Sequence, residues 1–237
     1  MTKTSDPSSN KFACKFCKKE FVRESTLFVH LCETKRRWKN KDDIGCRIGL
    51  QAFARFYKAT QSQTNKDKTH DDFIKSPYYT AFVKFGWYCH QIRAVNPMKL
   101  ADYLLENSVK IDWWTKDRYY EKYIIAHMTT ESAADAITRT INELTRWADD
   151  YEISFDQFFK VATPNKVVNL ISNGRLSPWF LFNCDQGVAV LGTLNEEQLS
   201  IAFKWVSPDT WSKRFEKHPE DVKWIRELLD EAGFNEV

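Results

Sequence analysis

Residues of metal-ligating types lie close together near the amino terminus. Cys14 and Cys17 are separated by two residues, His30 follows after twelve more, and Cys32 lies two positions beyond it. Two cysteines at this spacing can sit on one tight knuckle, so that both thiolates occupy adjacent corners of a tetrahedron around Zn²⁺. The spacing therefore predicts a zinc site formed by Cys14, Cys17, His30 and Cys32, with Zn²⁺ as the cofactor.

The segment between these ligands carries two apolar residues, Phe21 and Leu27. The resulting pattern, C-x2-C-x3-F-x5-L-x2-H, resembles the zinc-finger family of the C2H2 kind. The resemblance implies a ββα module in which the two apolar side chains form a small core, because so short a segment cannot bury enough surface without its metal.

The chain departs from the C2H2 pattern after His30. A standard finger places its second histidine about one helical turn later, whereas here Cys32 follows almost at once. Residues two apart point to different sides of an α-helix, so Cys32 can bind the metal only if the helix tightens or stops directly after His30. Cys46 is the alternative fourth ligand.

The finger helix implied by the resemblance presents Arg23, Thr26 and Val29 at the positions that face base edges in the DNA major groove. Arginine at the first position suits bidentate contact with guanine. One finger gives little specificity by itself, and two alternatives stay open. The finger contacts only phosphates, or it packs on the rest of the chain as a structural clip.

A basic run follows the candidate ligands. Residues 1–41 contain eleven Lys and Arg against four Asp and Glu, a balance of +7, so the whole-chain charge of +3 leaves −4 for residues 42–237. Cations neutralise phosphates, and the aromatic ring within the run can stack on an exposed base or insert into the protein core. The predicted nucleic-acid-binding residues of this run are Lys35, Arg36, Arg37, Trp38, Lys39 and Lys41. The expected partner is nucleic acid, with DNA favoured.

The remaining chain is rich in helical signals. Six pairs of a capping residue and proline mark helix starts, at Ser76-Pro77, Asn96-Pro97, Thr163-Pro164, Ser177-Pro178, Ser207-Pro208 and His218-Pro219. Only Phe180–Cys184 and Val188–Leu191 resemble strands. We therefore expect a mainly α fold, with an N-terminal ββα zinc finger followed by a multi-helix all-α domain that contains at most a small β-hairpin.

Changes in composition set the expected domains. Residues 1–10 form a disordered leader, residues 11–41 the zinc finger with its basic extension, and residues 42–237 the helical domain, with a possible sub-boundary near 150–163. The chain contains no run of eighteen apolar residues and begins without the apolar core of a signal peptide. These features predict an intracellular protein without a membrane partner, and the helical domain is a possible site for a protein partner.

Two further groups of residues receive structural interpretations. The aromatic stretch from Tyr78 to Tyr88 has the three- and four-residue spacing of a buried helix face, so core packing is favoured over a base-stacking platform. Cys89 and Cys184 are isolated in apolar surroundings, which indicates buried thiols.

The sequence also contains candidate acid–base groups, which form no recognised catalytic set: Asp112, Asp117, Glu121, His90 and His127.

Two segments, HLCETKRRW and YYTAFVKFGWY, together resemble zinc-finger proteins of large tailed bacteriophages. The resemblance implies a location in the host cytoplasm and no particular activity. The sequence thus predicts a zinc-dependent nucleic-acid-binding protein, with DNA as the favoured nucleic acid, that carries a helical effector domain. The alternatives are a DNA-modifying or DNA-processing enzyme delivered by the finger, and a protein-interaction adaptor in phage replication or transcription.

Overall fold

The structure is a computed structural model that describes residues 12–61 and 67–235. The leader predicted for residues 1–10 lies outside the described residues. The chain divides into two compact units between Thr115 and Lys116. The sequence placed its boundaries elsewhere, at residue 42 and near residues 150–163, and those domain boundaries stay predictions.

In the first unit, a short antiparallel hairpin is followed by helices. Its elements are β1 (Phe12–Ala13), β2 (Glu20–Phe21), α1 (Glu24–Val29), α2 (Glu33–Lys39), α3 (Ile44–Thr60), α4 (His70–Lys75), α5 (Tyr79–Gln91), α6 (Pro97–Glu106) and a 3-10 turn (Ile111–Trp113). We call residues 12–41 the finger segment, because they contain the hairpin, α1 and α2.

The described part of the second unit is helical throughout its regular elements. These are α7 (Asp117–Thr130), α8 (Ala133–Tyr151), a 3-10 turn (Phe155–Gln157), α9 (Phe158–Val161), α10 (Pro164–Ser172), α11 (Pro178–Leu181), α12 (Asp185–Leu191), α13 (Glu196–Trp205), α14 (Pro208–Lys217) and α15 (Pro219–Glu231). The prediction of a mainly α fold with a small N-terminal hairpin is confirmed.

Helices α3 and α5 pack closely because three glycines let their backbones approach. An added Cβ at Gly86 of α5 would collide with the carbonyl oxygen of Gly45 of α3, and one at Gly49 would lie 2.7 Å from the carbonyl oxygen of Phe82. Glycine weakens a helix by itself, but it removes the side chain that would hold two helices apart. The glycines near the start of α3 therefore serve tertiary packing.

Aromatic rings fill the space beside this helix pair. Phe82 and Phe85 are fully buried, and each lies against the ring of Trp114, at centroid distances of 5.7 and 5.2 Å. Phe53 of α3 meets Phe82 edge to face at 5.6 Å. Core packing is thus confirmed for Phe82 and Phe85. Trp87 on the same helix stays 40% exposed.

In the second unit, α8 packs against α11 and α15. The Trp147 ring of α8 meets Phe158 edge to face at 4.9 Å, and Phe180 of α11 meets Phe234 at 5.0 Å. The carboxylate of Glu131, which precedes α8, is buried and accepts a hydrogen bond from Arg139. This ion pair satisfies a charge that would be costly to bury alone.

The strands predicted at Phe180–Cys184 and Val188–Leu191 are wrong, because these residues lie in α11, in α12 and in the turn that joins them. Both short helices have side-chain caps. The Ser177 hydroxyl accepts from the Trp179 N–H at 3.2 Å, and the Cys184 sulfur accepts from the Gly187 N–H. All four residues of α11 are buried, so its sequence is apolar on all sides and lacks the periodicity that separates a helix from a buried strand. The apolar run in α12 is too short to show a helical period.

Five of the six capping pairs begin helices as predicted. The N-caps that precede a proline are Asn96, Thr163, Ser177, Ser207 and His218. Ser76-Pro77 is the exception, because Ser76 ends α4 and the next helix begins only at Tyr79. No helix within the described ranges is both long and apolar enough to cross a membrane.

Candidate metal centre

The hairpin holds the first two candidate ligands on a knuckle. The Cys14 N–H donates to the Lys19 carbonyl at 2.9 Å, and the Lys18 N–H donates to the Cys14 carbonyl at 2.8 Å. Lys18 has a φ of 63°, the left-handed conformation that reverses the chain tightly. As a result, Cys14 and Cys17 lie on the same turn between β1 and β2.

The third and fourth ligands lie on either side of a break between two helices. Helix α1 ends at Val29, and His30 has an extended backbone with φ −64° and ψ 124°. Cys32 is the N-cap of α2, and its sulfur accepts from the Lys35 N–H at 3.4 Å. The chain therefore stops being helical between the two residues, as ligation by both His30 and Cys32 requires.

The four side chains are close enough to hold a metal ion. The sulfur atoms of Cys14 and Cys32 lie 4.0 Å apart, and the sulfur of Cys17 lies 3.3 Å from Nε2 of His30. All four ligand atoms lie within 4.8 Å of one another. A tetrahedron with metal–sulfur bonds of about 2.3 Å has edges of about 3.8 Å, so these separations fit a four-coordinate ion.

Two of the thiols have shifted pKa values. The pKa of Cys14 is lowered to about 7, first by a hydrogen bond from the backbone N–H of Cys17. The pKa of Cys32 is raised, first by burial. Since thiolates are the metal-binding form, the lowered pKa prepares Cys14 for ligation, and a bound cation would offset the burial of Cys32.

The finger segment has almost no apolar core. Cys14 is its one buried residue among those that the structure describes. The Phe21 ring packs on the His30 ring at a centroid distance of 4.8 Å, and Phe21 and Leu27 are both half-buried. This arrangement agrees with a module whose ligands, more than its apolar contacts, must hold it together.

The base-reading positions implied by the finger resemblance are all exposed. Arg23 is the N-cap of α1, Thr26 is on its first turn, and Val29 ends it. Val29 is 75% exposed and Phe28 is 83% exposed. The outward side of α1 is therefore more apolar than basic.

Three of the predicted cations form hydrogen bonds or ion pairs within the protein. The Lys35 ammonium donates to the His30 carbonyl at 2.9 Å, and Arg36 pairs with Glu33. Arg37 donates to the carbonyls of Ile74 and Ser76 at 3.0 and 3.2 Å. Arg37 thereby docks α2 onto the end of α4, which the sequence did not indicate.

Trp38 packs within the finger segment and does not insert into the helical core. Its ring lies 5.6 Å from the ring of Phe16, on the knuckle, and remains 37% exposed. The ammonium groups of Lys15 and Lys41 lie over it at 5.6 and 5.0 Å. Lys39 is exposed on the same helix. Sequence reasoning missed Lys15 and Phe16, although their position between Cys14 and Cys17 puts them on the knuckle.

Cys46 is separate from this cluster. It is buried, and its sulfur lies 3.3 Å from the hydroxyl of Tyr79. Cys89 and Cys184 are also buried, and burial raises the pKa of each thiol to about 12. The four-residue cluster contains Cys32, and Cys46 serves packing.

A polar groove of about 360 Å³ runs along α8. Three of its four charged residues form ion pairs: Glu143 pairs with Arg146 and lies 3.6 Å from Arg175, and Arg139 pairs with Glu131. None of the acid–base candidates named from the sequence lines it. The groove is an ion-paired surface and identifies no reaction.

Comparisons of the chain with protein-family models, with curated proteins and with solved structures find no match.

Proposed function

We propose that the four-ligand cluster binds Zn²⁺ and that the finger segment uses it to present a basic surface to nucleic acid. Three cysteines and one histidine favour zinc, because soft thiolates and imidazole are the ligands that structural zinc sites use. Zinc would supply the stability that the segment's apolar contacts lack. The cluster geometry is the observation that carries this proposal.

The second support is electrostatic. The described finger segment contains nine Lys and Arg against three Asp and Glu. Lys18, Arg36, Lys39 and Lys41 are exposed. Exposed cations close together attract phosphates and release their counterions, whereas the rest of the chain has a net negative charge. Arg37 contributes less to this surface, since it is half-buried against α4.

Metal analysis tests the first part of the proposal. We expect one zinc per chain in the full-length protein and loss of that zinc in Cys17→Ser. We expect Cys32→Ser to bind zinc more weakly. Cys46→Ser is the matched control and should keep one zinc per chain. Stoichiometric zinc in Cys17→Ser would contradict the site.

Binding at several salt concentrations tests the second part. A variant with Arg36, Lys39 and Lys41 all changed to Gln should bind duplex DNA more weakly, and its slope of log K against log salt should flatten by about 0.9 for each phosphate that the protein no longer neutralises. Changing Lys58, Lys99 and Lys110 to Gln removes the same charge elsewhere in the first unit and should have less effect. Equal affinity and slope in both triple variants would contradict binding through the finger segment.

Arg23→Ala tests base readout, because it should lower discrimination between sequences if Arg23 contacts guanine.

A second candidate function is that of a protein-interaction adaptor. Four large apolar side chains within ten residues are exposed, namely Val22, Phe28, Val29 and Leu31, at 75, 83, 75 and 55%. Clustered exposed apolar residues are typical of protein-binding surfaces. Under this hypothesis, Phe28→Gln combined with Val29→Gln would leave DNA affinity unchanged. A loss of DNA affinity as large as that of the Arg36, Lys39 and Lys41 variant would instead assign these side chains to the nucleic-acid interface.

A further inference from the structure

A groove of about 410 Å³ lies along the outer side of α5 in the first unit. Its walls include Tyr79, Thr80, Lys84, Trp87 and Gln91. Most of these residues are three or four positions apart, so they share one side of the helix. The groove therefore combines aromatic rings with a cation and two side chains that can form hydrogen bonds.

Packing fixes the position of the Trp87 ring. The ring lies directly over Gly45 of α3, where an added Cβ would collide with it, and the His90 ring meets it edge to face at 5.8 Å. Even so, Trp87 remains 40% exposed. An indole that is held from one side and accessible on another can stack on a planar ligand with little loss of conformational entropy.

The groove adjoins the basic finger segment. The guanidinium of Arg37, on α2, lies 4.5 Å from the centre of the Tyr79 ring, which lines the groove. Lys84 is exposed, and neither the lining residues nor α5 as a whole includes an aspartate or glutamate. This charge pattern favours an anionic ligand over a cationic one.

We infer that the α5 groove stacks an unpaired base of single-stranded nucleic acid on Trp87, while Lys84 contacts an adjacent phosphate. The inference rests on the proposed function and adds to it a second contact surface with a different physical basis. Base stacking on an aromatic side chain depends little on salt, whereas the cations of α2 act through phosphates. Because a base can leave a duplex only at an energetic cost, the groove predicts a preference for unpaired strands.

The test compares an oligothymidylate with an abasic oligonucleotide of the same length, which keeps the phosphates and lacks the bases. Wild type should bind the oligothymidylate more tightly, and Trp87→Leu should reduce that affinity about fivefold or more while leaving the abasic strand's affinity unchanged. Trp87→Phe keeps a ring and should retain most of the difference. Trp113→Leu is the matched control, since Trp113 is 41% exposed in the same unit and does not line the groove.

A second variant guards against misfolding of Trp87→Leu. Lys84→Gln alters only an exposed side chain. It should weaken binding of both oligonucleotides and flatten the slope of log K against log salt by about 0.7, the value for one phosphate of a single strand. Oligouridylate in place of oligothymidylate separates RNA from DNA as the source of the base.

The outcomes separate this inference from the proposed function. If wild type binds neither oligonucleotide nor duplex DNA, the proposed function fails and this inference fails with it. If wild type binds, but equally with and without bases, or if Trp113→Leu weakens binding as much as Trp87→Leu, the inference alone is overturned. An unchanged affinity in a folded Trp87→Leu variant overturns it as well.

Discussion

The finger segment and the pair of helices α3 and α5 belong to the same unit but are held together in different ways. Among the described residues of the finger segment, only Cys14 is buried, and its ligand atoms converge on one point. Helices α3 and α5 instead meet through glycines and bury Phe53, Phe82 and Phe85. The first region therefore depends on a ligand cluster and the second on apolar packing.

This difference indicates where each region is vulnerable. Removing a metal affects a cluster of four side chains and leaves aromatic packing unchanged. Adding one methyl group to a close helix crossing disturbs packing and leaves the ligands unchanged. Metal removal should thus affect the finger segment, and an added methyl group should affect the helix pair. The contact of Arg37 with α4 is one point at which the two regions can influence each other.

The largest effect is expected on metal removal. Structural zinc contributes roughly 10–16 kcal/mol to the folding of small zinc modules, so a chelator or Cys17→Ser should unfold α1 and α2. Circular dichroism should then show a small loss of helical signal, since α3 to α15 remain. Hydrogen exchange should locate the loss in the finger segment. Cys89→Ala is the control and should retain the metal. Cooperative unfolding of the whole first unit would show that the two regions do not differ as described.

The next largest effect is expected from Gly86→Ala. The new Cβ would meet the Gly45 carbonyl, a backbone group that can move only if the helices separate. We expect a loss of about 1–3 kcal/mol in the free energy of unfolding, measured by denaturant titration, with zinc content unchanged. Gly192→Ala provides a control, because its Cβ would meet only the Ala189 carbonyl, at 3.2 Å. Equal stability of the two variants would contradict the close crossing.

A smaller effect is expected from Arg37→Ala, which tests the link between the two regions. The change removes hydrogen bonds to the Ile74 and Ser76 carbonyls, and we expect a cost of about 1–2 kcal/mol. Faster hydrogen exchange in α2, with zinc retained, would report the loosened contact. Arg36→Ala removes an exposed ion pair from the same helix and should cost less than about 1 kcal/mol. If Arg36→Ala accelerated hydrogen exchange in α2 as much as Arg37→Ala, the conclusion that Arg37 docks α2 onto α4 would be wrong.

The smallest effect is expected at the buried thiols. Burial raises the pKa of Cys89 and of Cys184 to about 12, so at about pH 8 both remain protonated and should react negligibly with an alkylating agent. Raising the pH toward that pKa increases the reactive thiolate. After chelation, Cys14, Cys17 and Cys32 should be alkylated, as mass spectrometry would show. Rapid labelling of Cys89 in the folded, metal-loaded protein would contradict its burial.

Features that depend on local spacing could be predicted from the sequence. The separation of Cys14 and Cys17 identified the knuckle, and a capping residue before proline located helix starts such as Asn96 and Thr163. Local spacing also identified the condition for ligation by Cys32, namely that the helix stop at His30. These features depend on backbone geometry within a few residues, which the neighbouring residue types set directly.

Features that depend on distant residues required the tertiary structure. The two apolar runs between Phe180 and Leu191 resemble strands because each is too short to show a helical period, and only the fold shows that both are helical. Gly45 and Gly49 weaken a helix in isolation, and their role is visible only where Gly86 and Phe82 approach. Arg37 lies in a basic run that suggests phosphate binding, yet two carbonyls 37 and 39 residues away engage it. In each case the partner lies far along the chain, so the residue type limits which contacts can form and the fold selects the one that does.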